Sequence, residues 1–326
     1  MTGAQALKTF HRLFVAAAVA STSLTSFAAD FPARSITMIV PAAPGGGTDT
    51  FGRKVAEAVE KILNQTISVE NRGGGGGTVG ITQALTAKPD GYTVAFVWNS
   101  PLTAIPHSLN VPYKRSDYTA LMSIGYSAYT VCAAPAFPAN NGAELLAELK
   151  KNPGKYTLGN DGVGGTMQLA GERIFTKAGV KVRPVSFKGA GDTAKAFLGG
   201  HIDLYGGSIP PIQEHARAGK AKCLLMTSAQ ANEDLPGASG LKDLGLADEE
   251  TVLWWGLIVP AQTPQAIRNQ LEKAFMQAAA TESVKSIMGS KGATNNPLGA
   301  NATNQLIDQE YKALEQVAKA VGITKS

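Results

Sequence analysis

The chain predicts an α/β protein folded as two lobes, and three observations carry that expectation. Strand-like and helix-like segments alternate along most of the sequence, as in βαβ units. Its 326 residues exceed what one hydrophobic core usually organises. Two glycine-rich loops, at 44–49 and 161–166, each carry a strand-like segment into a helix-like one. Loops at the carboxyl ends of strands are where open parallel sheets bind ligands, so two such units facing each other would line one cleft.

Taken in order, residues 36–40 are a strand, and 51–64 an amphipathic helix with Val55, Val59, Ile62 and Leu63 on one side. Residues 66–70 form a second strand. The glycine run 73–77 leads into a helix over 79–87, and Pro89-Asp90-Gly91 turns the chain into a third strand, 92–98. A second series opens with a strand at 129–134. Its helix at 142–151 stops at Asn152-Pro153-Gly154, and strand 156–159 enters the second glycine loop ahead of a helix over 167–178. Strands at 182–186, 202–205 and 222–227 follow, with helices at 192–198 and 211–218 between them. The apolar run 252–259, with Trp254 and Trp255, reads as a strand returning to the first lobe, where helices 264–280 and 304–321 would pack. The alternation implies parallel sheets with right-handed crossovers. The first lobe is expected to comprise 29–128 and 253–326 and the second 129–252, with the chain crossing near 123–129 and 252–256.

The N-terminus carries an address. Lys8, His11 and Arg12 precede an alanine-rich apolar stretch at 13–24, followed by Ser26-Phe27-Ala28. That is the pattern of a secretory signal peptide over residues 1–28, cut after Ala28, and the stretch is short for a membrane anchor of roughly 20 residues. An exported protein without another spanning segment is expected in the periplasm. The formal charge of +5 is scattered, without basic blocks or interleaved aromatics, which argues against nucleic acid as a partner. With 44% hydrophobic and 17% charged residues, the composition is that of a packed globular protein. Cys132 and Cys223 both lie in strand-like runs and fit either one bridge or two buried thiols.

The chemistry the chain can support is anion binding. In the first loop, Gly45, Gly46 and Gly47 let a ligand approach the main chain, and Thr48 or Asp49 is placed to cap a helix beginning near Thr50. Amides of a first helical turn and the positive end of the helix dipole then converge on the loop. The loop lacks the Gly-Lys-Ser/Thr of a phosphate-binding loop and the spaced glycines of a dinucleotide fingerprint. Catalytic signatures are missing too. Of the four histidines, His11 belongs to the signal peptide, His107 sits in a proline-flanked loop, and His201 and His215 make no metal-type pair. No Gly-x-Ser-x-Gly elbow occurs. Neither enzyme activity, a metal nor a cofactor is expected.

The ordered motifs carry a resemblance over nearly the whole mature chain. They are Ile39-Val40-Pro41 with Gly45-Gly46-Gly47-Thr48-Asp49, Val69-Glu70-Asn71-Arg72 before the glycine run, and Lys88-Pro89-Asp90-Gly91-Tyr92-Thr93. Gly162-Val163-Gly164, Phe187-Lys188-Gly189, Gly199-Gly200-His201-Ile202-Asp203 and Trp255-Gly256-Leu257 follow. In that order they resemble the periplasmic solute receptors of tripartite tricarboxylate transporters, the Bug (Bordetella uptake gene) family. The resemblance implies a type II periplasmic binding protein fold, two α/β lobes joined by a two-strand hinge with the ligand cleft between them. It implies a monomeric receptor that captures a small organic carboxylate and delivers it to membrane transporter subunits. A sensor presenting the same ligand to a signalling partner, or an exported enzyme on this fold, are the alternatives.

The implied contacts in the first lobe are Ala43, Pro44, Gly45, Gly46, Gly47, Thr48 and Asp49, with Asn99. Those in the second are Gly162, Gly164, Gly165, Thr166 and Gln168, then Lys188, Gly189 and Ser208. Asp49 is expected to cap the helix, because as a direct contact it would repel an anion. Trp98 and Trp255 are expected in the core. The chain departs from the family pattern at Thr166-Met167-Gln168-Leu169, where a histidine is common, and at Ala42-Ala43-Pro44, which carries a second proline. The identity of the carboxylate stays open.

Overall fold

The computed structural model describes residues 31–231 and 235–320, with 322 and 325. The expected cleavage after Ala28 lies outside the described residues. The first half of the fold opens with β1 (Ile36–Val40), α1 (Gly47–Leu63), β2 (Ile67–Asn71), α2 (Thr78–Leu85) and β3 (Thr93–Trp98). β1 pairs in parallel with β2 and β3, as helix-linked strands should. α1 places Phe51, Val55 and Val59 on this sheet and stops at Asn64, which adopts a left-handed turn (φ 50°). Two single-turn helices, α3 (Ser100–Thr103) and α4 (Ile105–Ser108), follow β3. His107, read above as a loop residue, belongs to α4.

β4 (Tyr118–Ala133) is the spine of the molecule, 16 residues long. From Tyr118 to Ala128 it pairs with β9 (Val252–Pro260), and from Tyr129 to Ala133 with β7 (Leu204–Ser208). Between β4 and β9 come α5 (Gly142–Lys151), β5 (Thr157–Asn160), α6 (Thr166–Ala178), β6 (Arg183–Ser186), α7 (Ala190–Leu198), β7, α8 (Pro210–Arg217) and β8 (Lys222–Met226). The chain closes with α9 (Gln265–Ala279), α10 (Glu282–Ser290), β10 (Thr294–Gly299) and α11 (Ala300–Ala320). The strand order is β2-β1-β3-β9-β4-β7-β5-β6, with β8 and β10 also paired to β4.

Several expectations are corrected, and α10 was not read as a helix at all. The sheet is mixed rather than parallel, because β9 runs antiparallel to β3 and β4, and β4 antiparallel to β7, β8 and β10. The parallel rule governs strands joined by a crossover helix, whereas β9 arrives from the other half and β4 is reached without one. The first eleven residues of β4 were not read as strand, since Ser123, Gly125 and Ser127 interrupt the apolar pattern. β10 was also missed. Its Pro297 and irregular register between Asn295 and Leu298 belong to a pairing that β-propensity does not signal.

One apolar cluster runs from Ile36 and Phe51 through Ile124 and Tyr129 to Leu158 and Leu204, so the two halves share packing where β4 passes between them. The buried Thr227 pins this crossing. Its hydroxyl accepts from Tyr129 N at 3.0 Å and donates to Thr251 O at 2.5 Å, tying the outgoing chain to the returning one. Cys132 and Cys223 are disulfide-bonded across β4 and β8, which resolves the alternatives left open by the sequence.

Candidate functional site

In the first loop the helix starts earlier than expected. Gly47 is its first residue and Gly46, extended at φ −75° and ψ 171°, occupies the cap position. Asp49 therefore lies in the first turn and reaches back, taking Gly45 N–H on Oδ2 at 2.8 Å. Its Oδ1 accepts from Arg53 Nε at 2.9 Å and from Asn71 Nδ2 at 2.9 Å. Asn71 also donates to Ala42 O at 3.1 Å and accepts from Arg53 at 2.6 Å. Asp49 is thus a buried brace that bends the loop over the helix end. Gly45 holds φ +84°, a region costly for any residue with a Cβ, and its amide is occupied by Asp49 rather than open to an anion. Trp255 is buried edge-on against Phe51, and its Nε1 donates to Thr48 Oγ1 at 3.2 Å.

The second loop repeats the construction. Gly164 holds φ +66°, Gly165 is the extended cap residue, and Thr166 opens α6. Gln168 occupies the place of Asp49, with its Oε1 accepting Gly164 N–H at 2.7 Å against 2.8 Å in the first loop. The residue that departs from the family pattern thus performs the bracing role with a neutral amide. Each helix leaves first-turn amides without an intrahelical acceptor, so two anion-friendly helix ends are built to one plan.

Residues after β3 and at the start of β9 join the loops. Asn99 N donates to Trp254 O at 3.1 Å within the first half, and Ser100 Oγ accepts Thr166 N–H at 3.1 Å, linking the two halves directly. Gly164 lies so close to Ser108 that a Cβ there would collide with the serine side chain. Gly47 faces Trp255 and, from the other half, Pro210. Ser208, just before α8, accepts the Tyr205 hydroxyl on its carbonyl at 2.6 Å. The segment at 187–189 flanks the second loop, Phe187 N donating to Asn160 O at 3.0 Å, but Lys188 points to solvent. Ala43 and Pro44 are exposed on the outer rim, as is Gly46. Gly162, at φ +149°, starts the second turn, and Gly189 precedes α7.

The zone between the loops concentrates buried polar atoms that lack a partner. They are Asn99 Oδ1, Tyr129 Oη, Asn160 Nδ2, Asp161 Oδ1 and Thr166 Oγ1. Buried polar groups are paired in the great majority of cases, so such a set marks a place where something else supplies the bonds. Of these, Tyr129, Asn160 and Asp161 were not singled out from the sequence, nor were Arg53, Ser100 and Ser108. A polar pair ending a strand just before a glycine, Asn160-Asp161, was the available signal.

Burial sets the electrostatics. Desolvation pushes the Asp161 carboxyl up to about 6, against a single favourable bond from its own backbone. Glu310 on α11 is pushed up to about 7 by desolvation, although Trp254 Nε1 and Asn99 Nδ2 each donate to it at 2.6 Å. The Tyr129 hydroxyl is driven well above its ordinary range by burial and by the neighbouring Asp161 and Glu310 charges. His107 is held below its usual value by burial, with Nε2 bonded to Tyr311 O at 2.9 Å. Among the described residues no His, Cys, Asp and Glu group could hold a metal ion, and no helix is long and apolar enough to cross a membrane.

Residues 51–323 match the family model described as tripartite tricarboxylate transporter family receptor. The chain is similar to a UPF0065 protein of Agrobacterium vitis, 31% identical over 89% of this chain and 84% of the relative. It is also similar to protein BugT of Bordetella pertussis, 26% identical over 90% of each. Among solved structures, periplasmic binding protein BugD superposes with a TM-score of 0.82 at 29% identity, over 91% of this chain and 100% of BugD.

Proposed function

The chain belongs to the tripartite tricarboxylate transporter receptor family, and from that premise we propose that it holds a small organic carboxylate between its two glycine loops for delivery to membrane subunits of a transporter. It is a periplasmic solute-binding receptor with the two-lobe fold of that family. The observation that carries the ligand class is the matched pair of loops. Both are braced by a side chain from the first helical turn, and each helix start leaves first-turn amides without an intrahelical acceptor, one of which (Thr166 N–H) is taken by Ser100 Oγ from the other half. Hydrogen bonds from such amides to a charged acceptor are worth roughly 1.5–3 kcal/mol each, so a carboxylate needs no fixed cation here.

In this reading residues 29–128 with 253–326 move against 129–252, and β4 with the 226–252 connection serves as hinge. β4 changes partner between Ala128 and Tyr129, and Thr227 fastens both crossings, so the pivot is short. The receptor acts as a monomer, is freed of its signal peptide near Ala28, and meets its membrane partners transiently.

A thermal-shift screen over mono-, di- and tricarboxylates tests the proposal. A ligand at 100 times its Kd should stabilise the protein by ~2.7 kcal/mol, and its methyl ester or amide should not. Equal stabilisation by acid and ester would remove the carboxylate from the argument.

A further inference from the structure

Asp161 stands out in the second loop because nothing in the protein pairs with its Oδ1. That atom is sealed from solvent, and it lies 3.3 Å from where a Cβ on Gly165 would stand. Asp49, the carboxylate of the first loop, satisfies three donors, so the two carboxylates have opposite environments. The titratable groups facing Asp161 are Tyr129 on β4 and Tyr205 on β7. Both hydroxyls are held well above their ordinary range by burial and by Asp161 itself, so they stay neutral and, among the described residues, the site contains no cation to balance the carboxylate. The hydroxyls of Tyr129 and Thr166 stand beside each other, both fully buried, and beyond that mutual contact their hydrogen-bonding capacity is unused.

A buried carboxylate that keeps an unfilled lone pair is costly unless a ligand completes it. A solute hydroxyl would fill the lone pair and leave the charge buried. A protonated amine fills it and cancels the charge, and its remaining hydrogens can reach neighbouring hydroxyl oxygens. We infer that Asp161 is the receiving group for a protonated amine of the solute, with Tyr129 and Thr166 completing that subsite, so that the solute is an amino-substituted carboxylate. The inference rests on the receptor reading above, which supplies the carboxylate end. It also sets a pH dependence. The free carboxyl titrates near about 6, so affinity for an amino acid should fall as pH drops through that value, while an acid lacking the amine should bind no worse.

Isothermal titration of matched acids with and without the amine tests it: glutamate and glutarate, aspartate and succinate, alanine and propionate, phenylalanine and 3-phenylpropionate. For the skeleton that fits, the amino acid should bind at least tenfold tighter at pH 7.5. Asp161→Asn should erase that preference and its pH dependence while still binding the acid without the amine, which also demonstrates that the variant is folded. Equal affinities in the wild-type protein, or a preference that survives Asp161→Asn, overturns the amine subsite and leaves the receptor reading standing. Failure of every carboxylate to bind overturns both.

Discussion

Two aspartates a few ångströms from two helix ends illustrate how surroundings assign a residue its task. Asp49 accepts from Gly45, Arg53 and Asn71, so removing it breaks three hydrogen bonds that hold the loop on the helix, two of them from donors that keep a second partner. Asp49→Ala should lower stability by about 1–3 kcal/mol in chemical denaturation and weaken carboxylate binding by loosening the loop. Asp161 behaves oppositely. Its folded-state pKa, about 6, lies above the ordinary aspartate value of 3.8. A raised carboxyl contributes stability that is full below about 3.8 and is lost as pH climbs through about 6. Ligand-free Asp161→Asn should therefore melt higher than wild type at pH 8 and no higher at pH 4; a constant difference across that range would show that the charge is not the cause. That Asp49 shapes the loop was legible, but its expected place as helix cap was not borne out, because the helix starts at Gly47 and puts Asp49 inside the first turn, where it reaches back to Gly45 N–H. Its partners were not legible, because Asn71 is 22 residues away and Ser100 stands 66 residues from the Thr166 amide it accepts. Nothing local in the sequence announces such pairs.

At the level of elements, the two loops share a plan but differ in what a side chain would meet. Gly46 has an ordinary φ of −75°, and a Cβ there would find only Ala43 O, at 3.8 Å. Gly46→Val should leave the melting temperature nearly unchanged and abolish binding, because the branched side chain fills the approach to the helix amides. Gly164 combines φ +66° with the close approach of Ser108 from the other half. Gly164→Val should thus lose stability as well as affinity. Calorimetry with circular dichroism separates the two outcomes, and retained binding in both variants would move the site elsewhere. Most of the longer helices and the strands β1 to β3 were readable to within a few residues, since apolar spacing and glycine stops are local signals, whereas α10 and the single turns α3 and α4 were not read as helix. The first part of β4 and all of β10 were not, because their strand character comes from neighbours on β9 and β4 rather than from their own composition.

For the molecule as a whole, the proposed receptor role requires one half to move against the other. Ligand can favour the closed arrangement only through contacts it makes in that state and not in the open one. Small-angle scattering should show the radius of gyration falling when the matching acid is added. Thr227→Val keeps the shape of the side chain and its backbone bonds but removes both side-chain hydrogen bonds between the crossings, and should blur that transition and lower stability by about 1–3 kcal/mol. A radius that never changes on saturation would refute the moving-lobe account. The two-lobe architecture followed from chain length and the return of 252–259, both visible in the sequence, whereas the antiparallel centre required knowing which strands meet.

The place of β9 between β3 and β4 also dictates an order of assembly. A chain made from its N-terminus presents β1, β2 and β3 early, yet the far edge of β3 has no neighbour until residues 252–260 exist. The segment from 129 to 251 is contiguous and can settle first, while the older part of the chain waits with an open strand edge. The half begun first is finished last, and that interval is when the newborn chain is most exposed to pairing with the wrong partner.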